Sequence, residues 1–187
     1  ATTEIYTLSP TRRSSDLVMV IVVIGILAAV IMPRTASNDT AEAAVKLIAD
    51  IRYAQHLAMV DDKYGQNNNW FRDLWQINFV GNTYSIRSND AAGNQYFATN
   101  PMEANGTIQN INLNNQFGVT LVYAGSCAGA NNIISFDHVG RPMVGSLAVI
   151  ATAYANLMVA ECNIIVQGTA PDVNITIRPE TGYASMQ

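Results

Sequence analysis

An uncharged run of sixteen residues near the start of the chain, LVMVIVVIGILAAVIM, constrains the fold more than any other feature. It extends from Leu17 to Met32, and Pro33 and Arg34 end it. As a helix the run would be roughly 24 Å long, because a helix rises about 1.5 Å per residue. A bilayer core is about 30 Å thick and usually takes about 20 apolar residues, so the run is marginal as a permanent membrane anchor.

The residues of this run allow three interpretations. A cleaved secretory signal would need a cleavage site of small residues after the run, and Pro33-Arg34-Thr35 is a poor one. A generic single-span anchor needs only hydrophobicity and length. The third interpretation is a helix that lies first in lipid and later among other helices, since a helix satisfies its backbone groups internally in both surroundings.

The run and its flanks resemble a known family in register as well as in composition. DLVMVIVVIGILAAVIMPR is similar to the N-terminal helix of type IV pilins and of the pseudopilins of type II secretion. In that family an acidic residue precedes an apolar run with a central GILAA, and a proline follows; Asp16, Gly25 and Pro33 take these places here. The resemblance implies that Asp16 pairs with the N-terminal amine of a neighbouring subunit and that the helix breaks at Pro33. Gly25, Ala28 and Ala29 are small, which allows neighbouring helices to approach closely.

The segment before the run departs from the family pattern. Where the family has the Gly-Phe pair cut by a prepilin peptidase, whose phenylalanine becomes the methylated N-terminus, this chain has Thr11 and Arg12. EIYTLSPTRRSSDL also resembles translated sequencing-adapter read-through. We therefore expect residues 1–16 to be a non-native or leader-like segment. Residues 17–34 should form the apolar transmembrane or assembly helix, and residues 35–187 a periplasmic globular domain.

The composition is typical of an exported protein rather than of a nucleic-acid binder. Apolar residues make up 49% of the chain and charged residues only 13%, so uncharged polar residues must form much of the surface. The net charge of −4 argues against general nucleic-acid binding. Cys127 and Cys162 are the only two cysteines, and an even pair in an exported chain predicts one disulfide. Two buried free thiols are the alternative.

Beyond Pro33 the patterns predict a second helix and then a series of strands. From about residue 40 to residue 60, apolar residues recur at steps of three and four, which is typical of an amphipathic helix that needs a sheet to cover it. Gly81-Asn82 between DLWQINFV and TYSIRS predicts a hairpin, and Gly140 in NIISFDHVGRPMV predicts a strand, a turn and a strand. GTIQNINL, GVTLVYAG, CNIIVQG and VNITIRPETGYASM supply further predicted strands. Ser146–Glu161 is ambiguous between a buried helix and a strand pair.

The order of these elements predicts an α+β fold. We expect a long N-terminal helix with an apolar half, a proline break and an amphipathic half, packed on an antiparallel β-sheet domain. The later strands add a second resemblance, to the C-terminal half of the H-type minor pseudopilins and related minor type IV pilins. Phe136, Gly140, Thr181 and Gly182 are the matching positions. They favour this branch over the major pilins.

No pattern of residues indicates catalysis. His56 and His138 are the only histidines and stand apart from each other. The sequence contains no Cys-x-x-Cys, His-Glu-x-x-His, Gly-x-Ser-x-Gly or phosphate-loop motif. We therefore predict a protein that is not an enzyme and has no cofactor and no metal.

Taken with the resemblance, these features predict a structural subunit of a type IV pilus-like filament or type II secretion pseudopilus, of the minor class. The implied partners are other pilin or pseudopilin subunits, a prepilin peptidase, an inner-membrane assembly platform, and membrane lipid before assembly. The implied location is the inner membrane, single-pass, with the C-terminal domain in the periplasm or on an extracellular filament. A DNA-capturing minor pilin, with Arg141 and Arg178 as DNA contacts, and an anchored periplasmic protein of other function are the alternatives.

Overall fold

The computed structural model describes residues 11–31, 38–90, 93–129 and 132–187. The chain separates into two compact units, which meet in sequence between residues 37 and 38. The first unit contains helix α1, Thr11–Ile31, in which the side chains of residues 16–27 are described. The second unit is an α+β domain with antiparallel sheets, as the order of the predicted elements requires. Pro33, where we predict a break, lies outside the described residues.

Helix α2, Asp39–Val60, covers the residues in which the apolar spacing predicts a helix. Its predicted stripe is buried throughout, from 0% exposed at Ala44 to 2% at Ala58. Alanine at four of the buried positions keeps this face narrow, so that strands can approach the helix closely. The buried apolar residues of α2 are Ala43, Ala44, Leu47, Ile48, Ile51, Ala54 and Ala58.

The first sheet has six strands. They are β1 (Gln76–Val80), β2 (Thr83–Asn89), β3 (Gln95–Phe97), β4 (Ile111–Asn112), β6 (Ile133–Phe136) and β7 (Pro142–Val144). Their order in the sheet is β3-β2-β1-β6-β7, and β4 also pairs with β2. The predicted hairpin joins β1 to β2: Val80 pairs with Thr83 across Gly81 and Asn82. Gly81 has a φ of +59°, a left-handed conformation that glycine adopts at little cost.

The strands of the second sheet are β5 (Thr120–Gly125), β8 (Cys162–Gln167), β9 (Val173–Ile177) and β10 (Ala184–Met186). Their order in the sheet is β10-β9-β8-β5. The structure contains the predicted Cys127–Cys162 disulfide, with Cα atoms 5.0 Å apart. It links the turn after β5 to the first residue of β8, where Gly125 and Cys162 already pair in the sheet.

Helix α2 contacts both sheets and joins them into one core. It packs against β1 and β6 of the first sheet and against β8, β9 and β10 of the second. Alternate residues of β8 are buried, as expected for a strand with one face on the core. The core residues from the strands include Ile77, Ile86, Ile134, Phe136, Ile164, Val166, Ile175 and Ile177.

One predicted strand is mostly absent. GTIQNINL contributes only the two-residue β4 and an isolated bridge between Thr99 and Thr107, and its last residue begins a short helix, α3 (Leu113–Phe117). The Asn112 side chain accepts a hydrogen bond of 2.9 Å from the backbone N–H of Asn115. This cap satisfies a free donor of the first helical turn, so the local side chain favours a helix over a longer strand.

The ambiguous segment Ser146–Glu161 is neither a helix nor a strand pair. It consists of turns with one isolated bridge, between Leu157 and Met143. Its apolar side chains instead pack on a one-turn 3-10 helix, Trp70–Arg72, and on the residues beside it. Together they form a second, smaller cluster of buried residues, comprising Phe71, Leu74, Met143, Leu147 and Ile150.

Candidate functional site

The most unusual surface of the described chain is helix α1. Every side chain described in it, from residue 16 to residue 27, is exposed. Its large apolar side chains range from 50% exposed at Val23 to 72% at Met19. Single exposed apolar residues are common on proteins, but a contiguous apolar surface marks a site of interaction. The apolar residues also surround the whole helix, a pattern of helices that are covered on all sides.

Gly25 lies toward the C-terminal end of this apolar surface. A Cβ atom added at Gly25 would meet nothing within 4 Å, so packing within the described subunit does not require a glycine there. A glycine inside a helix costs about 1 kcal/mol relative to alanine. The residue therefore weakens α1 with no compensating contact inside the subunit.

The structure describes only some of the other predicted assembly residues. Asp16 is exposed on α1, on the N-terminal side of the apolar residues. Ala28 and Ala29 also belong to α1, but their side chains lie outside the described set, as does Pro33. Within the part of the chain that is described, no helix combines the length and the apolar character needed to cross a membrane.

The four positions that resemble the C-terminal half of minor pseudopilins lie together against one residue of α2. They are Phe136, Gly140, Thr181 and Gly182. The side-chain amide of Gln55 donates to the carbonyl oxygens of Gly140 and Thr181, both at 2.9 Å. A Cβ atom on Gly182 would lie 2.5 Å from the Gly140 carbonyl oxygen and 3.1 Å from a ring carbon of Phe136. The β6–β7 turn and the β9–β10 turn thus contact each other, and both are hydrogen-bonded to α2. We name these four residues, together with Gln55, the turn junction.

Gln55 is the residue of the turn junction that the sequence patterns did not reveal. It lies beside the apolar stripe of α2 and looks like an ordinary polar surface residue. Its two acceptors are 85 and 126 residues away along the chain. No local pattern could have indicated the contact.

The two arginines considered as DNA contacts both have acidic partners. Asp137 is fully buried and accepts hydrogen bonds from the Nε and the backbone N–H of Arg141, both at 2.8 Å. Arg178 Nη1 lies 3.5 Å from Glu161 Oε1. Because their charge is compensated within the subunit, these arginines lend no support to DNA capture.

The two histidines do not form a site. His56 is exposed on α2, and His138 packs against Tyr64 with their ring centroids 4.6 Å apart. Across the described ranges, no group of three or more His, Cys, Asp or Glu side chains could hold a metal ion.

Comparisons with protein-family models, with curated proteins and with solved structures found no match to this chain. The candidate functional site is therefore defined by its own geometry. It consists of the apolar surface of α1 from Leu17 to Leu27, which includes Gly25.

Proposed function

We propose that this chain is a structural subunit of a type IV pilus-like filament or type II secretion pseudopilus, of the minor class. The observation that carries the proposal is the uninterrupted apolar surface of α1. The apolar face of α2 is buried against the two sheets of the globular domain, and the core of this domain contains no described residue of α1. An exposed apolar helix, which water does not favour, is suited to pack among the apolar helices of other subunits.

In this proposal α1 and α2 are the apolar and amphipathic halves of one long helix with a break at Pro33. The apolar half keeps the subunit in the inner membrane, with the globular domain in the periplasm. After a prepilin peptidase has acted, an assembly platform moves the helix from lipid into a filament. The transfer costs little hydrophobic free energy, because both surroundings are apolar and close packing supplies the attraction. Asp16 would lie at the membrane edge at an energetic cost, which an amine of a neighbouring subunit would offset.

Replacing Gly25 tests this proposal directly. Gly25→Leu should leave membrane insertion unchanged, since the position is open within the subunit and leucine is apolar and a good helix former. Leucine should nevertheless reduce cross-linking to neighbouring subunits about tenfold, because its bulk keeps the helix backbones apart. The measurement compares membrane fractionation with cross-linking in cells, using the gene with its full upstream coding sequence. Ala28→Leu tests the same helix one turn further on.

Val22→Leu is the matched control, because it adds apolar bulk at a position that is already large. It should leave both readouts unchanged. If Gly25→Leu cross-links as well as the parent chain while insertion is intact, α1 is only an anchor and the filament proposal is wrong.

A further inference from the structure

A polar pocket lies between the loop that follows α2 and the end of β2. Its volume is about 550 Å³, within the range of about 300–1,000 Å³ typical of sites for small ligands. We name it the amide pocket, after the four asparagines in its wall. Its polar lining consists of Asn67, Asn68, Asn69, Arg72, Asp73 and Asn89.

Hydrogen bonds inside the domain hold much of the wall in place. Asn67 Nδ2 donates to Asp73 Oδ2 at 2.8 Å, and Asn89 Nδ2 donates to the carbonyl oxygen of Arg72 at 3.2 Å. Arg72 Nη2 donates to the carbonyl oxygen of Ile150 at 2.8 Å. Asp73 is only 9% exposed. The wall is therefore preorganised, which lowers the entropic cost of binding a ligand.

Several groups of the wall have unused capacity for hydrogen bonds. Asn68 and Asn69 are exposed, and their side-chain amides make no hydrogen bond to any described residue. Arg72 makes no ion pair with a described carboxylate, and its Nε is buried without a partner. An asparagine amide offers two donors and an acceptor, and a guanidinium offers donors only. The pocket can thus donate and accept several hydrogen bonds at once.

The lining of the pocket carries no net charge, because Arg72 contributes one positive and Asp73 one negative charge. The lining as a whole therefore favours neither an anionic nor a cationic ligand. A ligand that matches mixed donors and acceptors without carrying charge is rich in hydroxyl groups, since each hydroxyl both donates and accepts.

We propose that the amide pocket binds a neutral saccharide unit. The sugar hydroxyls would pair with the free amides of Asn68 and Asn69 and with the guanidinium of Arg72. This site is independent of the apolar surface of α1. The proposed filament subunit would then carry a glycan-binding site on its globular domain.

Titration of the full-length chain with sugars tests this proposal. The chain is kept in a detergent with an amine oxide head group, because glycoside detergents carry the proposed ligand class themselves. The probes are short neutral oligomers of glucose, mannose, galactose and N-acetylglucosamine, followed by calorimetry. Asn68→Ala combined with Asn69→Ala should weaken binding about thirtyfold, as expected for the loss of two net hydrogen bonds. The two side chains are exposed and make no hydrogen bond to a described residue, so the variant should keep the circular dichroism of the parent chain.

The matched control combines Asn115→Ala with Gln116→Ala, two exposed amides on α3. It should bind sugar as the parent chain does. A heparin fragment and a short oligothymidylate are titrated in parallel. Absence of binding to every neutral oligomer, binding only to the charged chains, or equal affinity of the two double variants would each overturn the proposal.

Discussion

At the scale of single residues, the turn junction explains why the chain has glycine at position 182. Gly182 has a φ of +65°, which residues with a side chain rarely adopt. An added Cβ would also lie 2.5 Å from the carbonyl oxygen of Gly140 and 2.7 Å from Nε2 of Gln55. Both the backbone conformation and the space around it therefore require glycine.

Gly182→Ala should lower the free energy of unfolding by about 3 kcal/mol, the sum of left-handed backbone strain and overpacking. Denaturant unfolding of the full chain measures this. Gly118→Ala is the control, because Gly118 has a φ of +67° but open space around it. That variant should lose only the backbone part, about 1 kcal/mol. Equal losses in the two variants would mean that the contact with Gly140 and Gln55 is not tight.

At the scale of elements, the C-terminal end of α2 is held by a polar network around Asp61. Its Oδ2 accepts hydrogen bonds from Trp75 Nε1 at 2.9 Å and from the Tyr96 hydroxyl at 3.3 Å, and lies 2.8 Å from Lys63 Nζ. Burial alone would raise the pKa of Asp61, but the bonds from Lys63 and Trp75 outweigh it and hold this pKa below its usual value. The ionised carboxylate thus connects the helix end to β1 and β3.

This network should make stability depend on pH at the acidic end. A carboxyl group whose pKa is lowered in the folded state stabilises above its unfolded pKa of about 3.9, and the stabilisation is lost as pH falls through the folded pKa. Asp61→Asn should therefore cost stability at pH 7, and this cost should disappear as pH falls through the folded pKa of Asp61. The cost should stay below about 1 kcal/mol, because the Asp61 side chain is 41% exposed and solvent screens it.

Thermal unfolding of the parent chain and of Asp61→Asn at several pH values between 2 and 7 measures the effect. Asp62→Asn is the control, since Asp62 is exposed next to Asp61 in the chain. A constant difference between Asp61→Asn and the parent at all pH values would contradict the expectation.

At the scale of the whole molecule, the disulfide closes the loop between the middle of the domain and a late strand. Cys127 and Cys162 are 35 positions apart and both are buried. Closing a loop of this length removes conformations from the unfolded chain, a stabilisation on the order of 4 kcal/mol. The enclosed segment includes β6, β7 and the irregular residues Ser146–Glu161, so the link confines two of the six strands of the first sheet.

Reduction should therefore lower the free energy of unfolding by about 3–4 kcal/mol. Denaturant unfolding with and without reductant measures this. The variant Cys127→Ala combined with Cys162→Ala should match the reduced protein and should not respond to reductant. Two alkylatable thiols in the native chain, or one unfolding midpoint under both conditions, would show that the disulfide does not form.

The elements with strong local signals were predictable from the sequence alone. Helix α2 follows from the spacing of its apolar residues, and the hairpin at Gly81-Asn82 follows from its turn residues. Gly140 likewise lies in the turn where the sequence places it. These signals come from residues that are only a few positions apart, so they can be recognised in the linear sequence. The apolar run that begins at Leu17 is of the same kind, because a run of apolar residues is itself a linear pattern.

Contacts between distant residues were decided only by the tertiary structure. The segment Ser146–Glu161 contains apolar residues, but they do not recur with the period of a helix or a strand. Its conformation follows from the cluster around Phe71 on which it packs. The turn junction needs Gln55 to meet carbonyl groups 85 and 126 residues away. The amide pocket needs Asn89, at the end of β2, to line the same pocket as Asn67. The sequence by itself thus determined the elements that are stabilised by interactions between neighbouring residues. Burial and long-range hydrogen bonds determined the rest of the fold. These leave no pattern in neighbouring residues, so only the tertiary structure shows them.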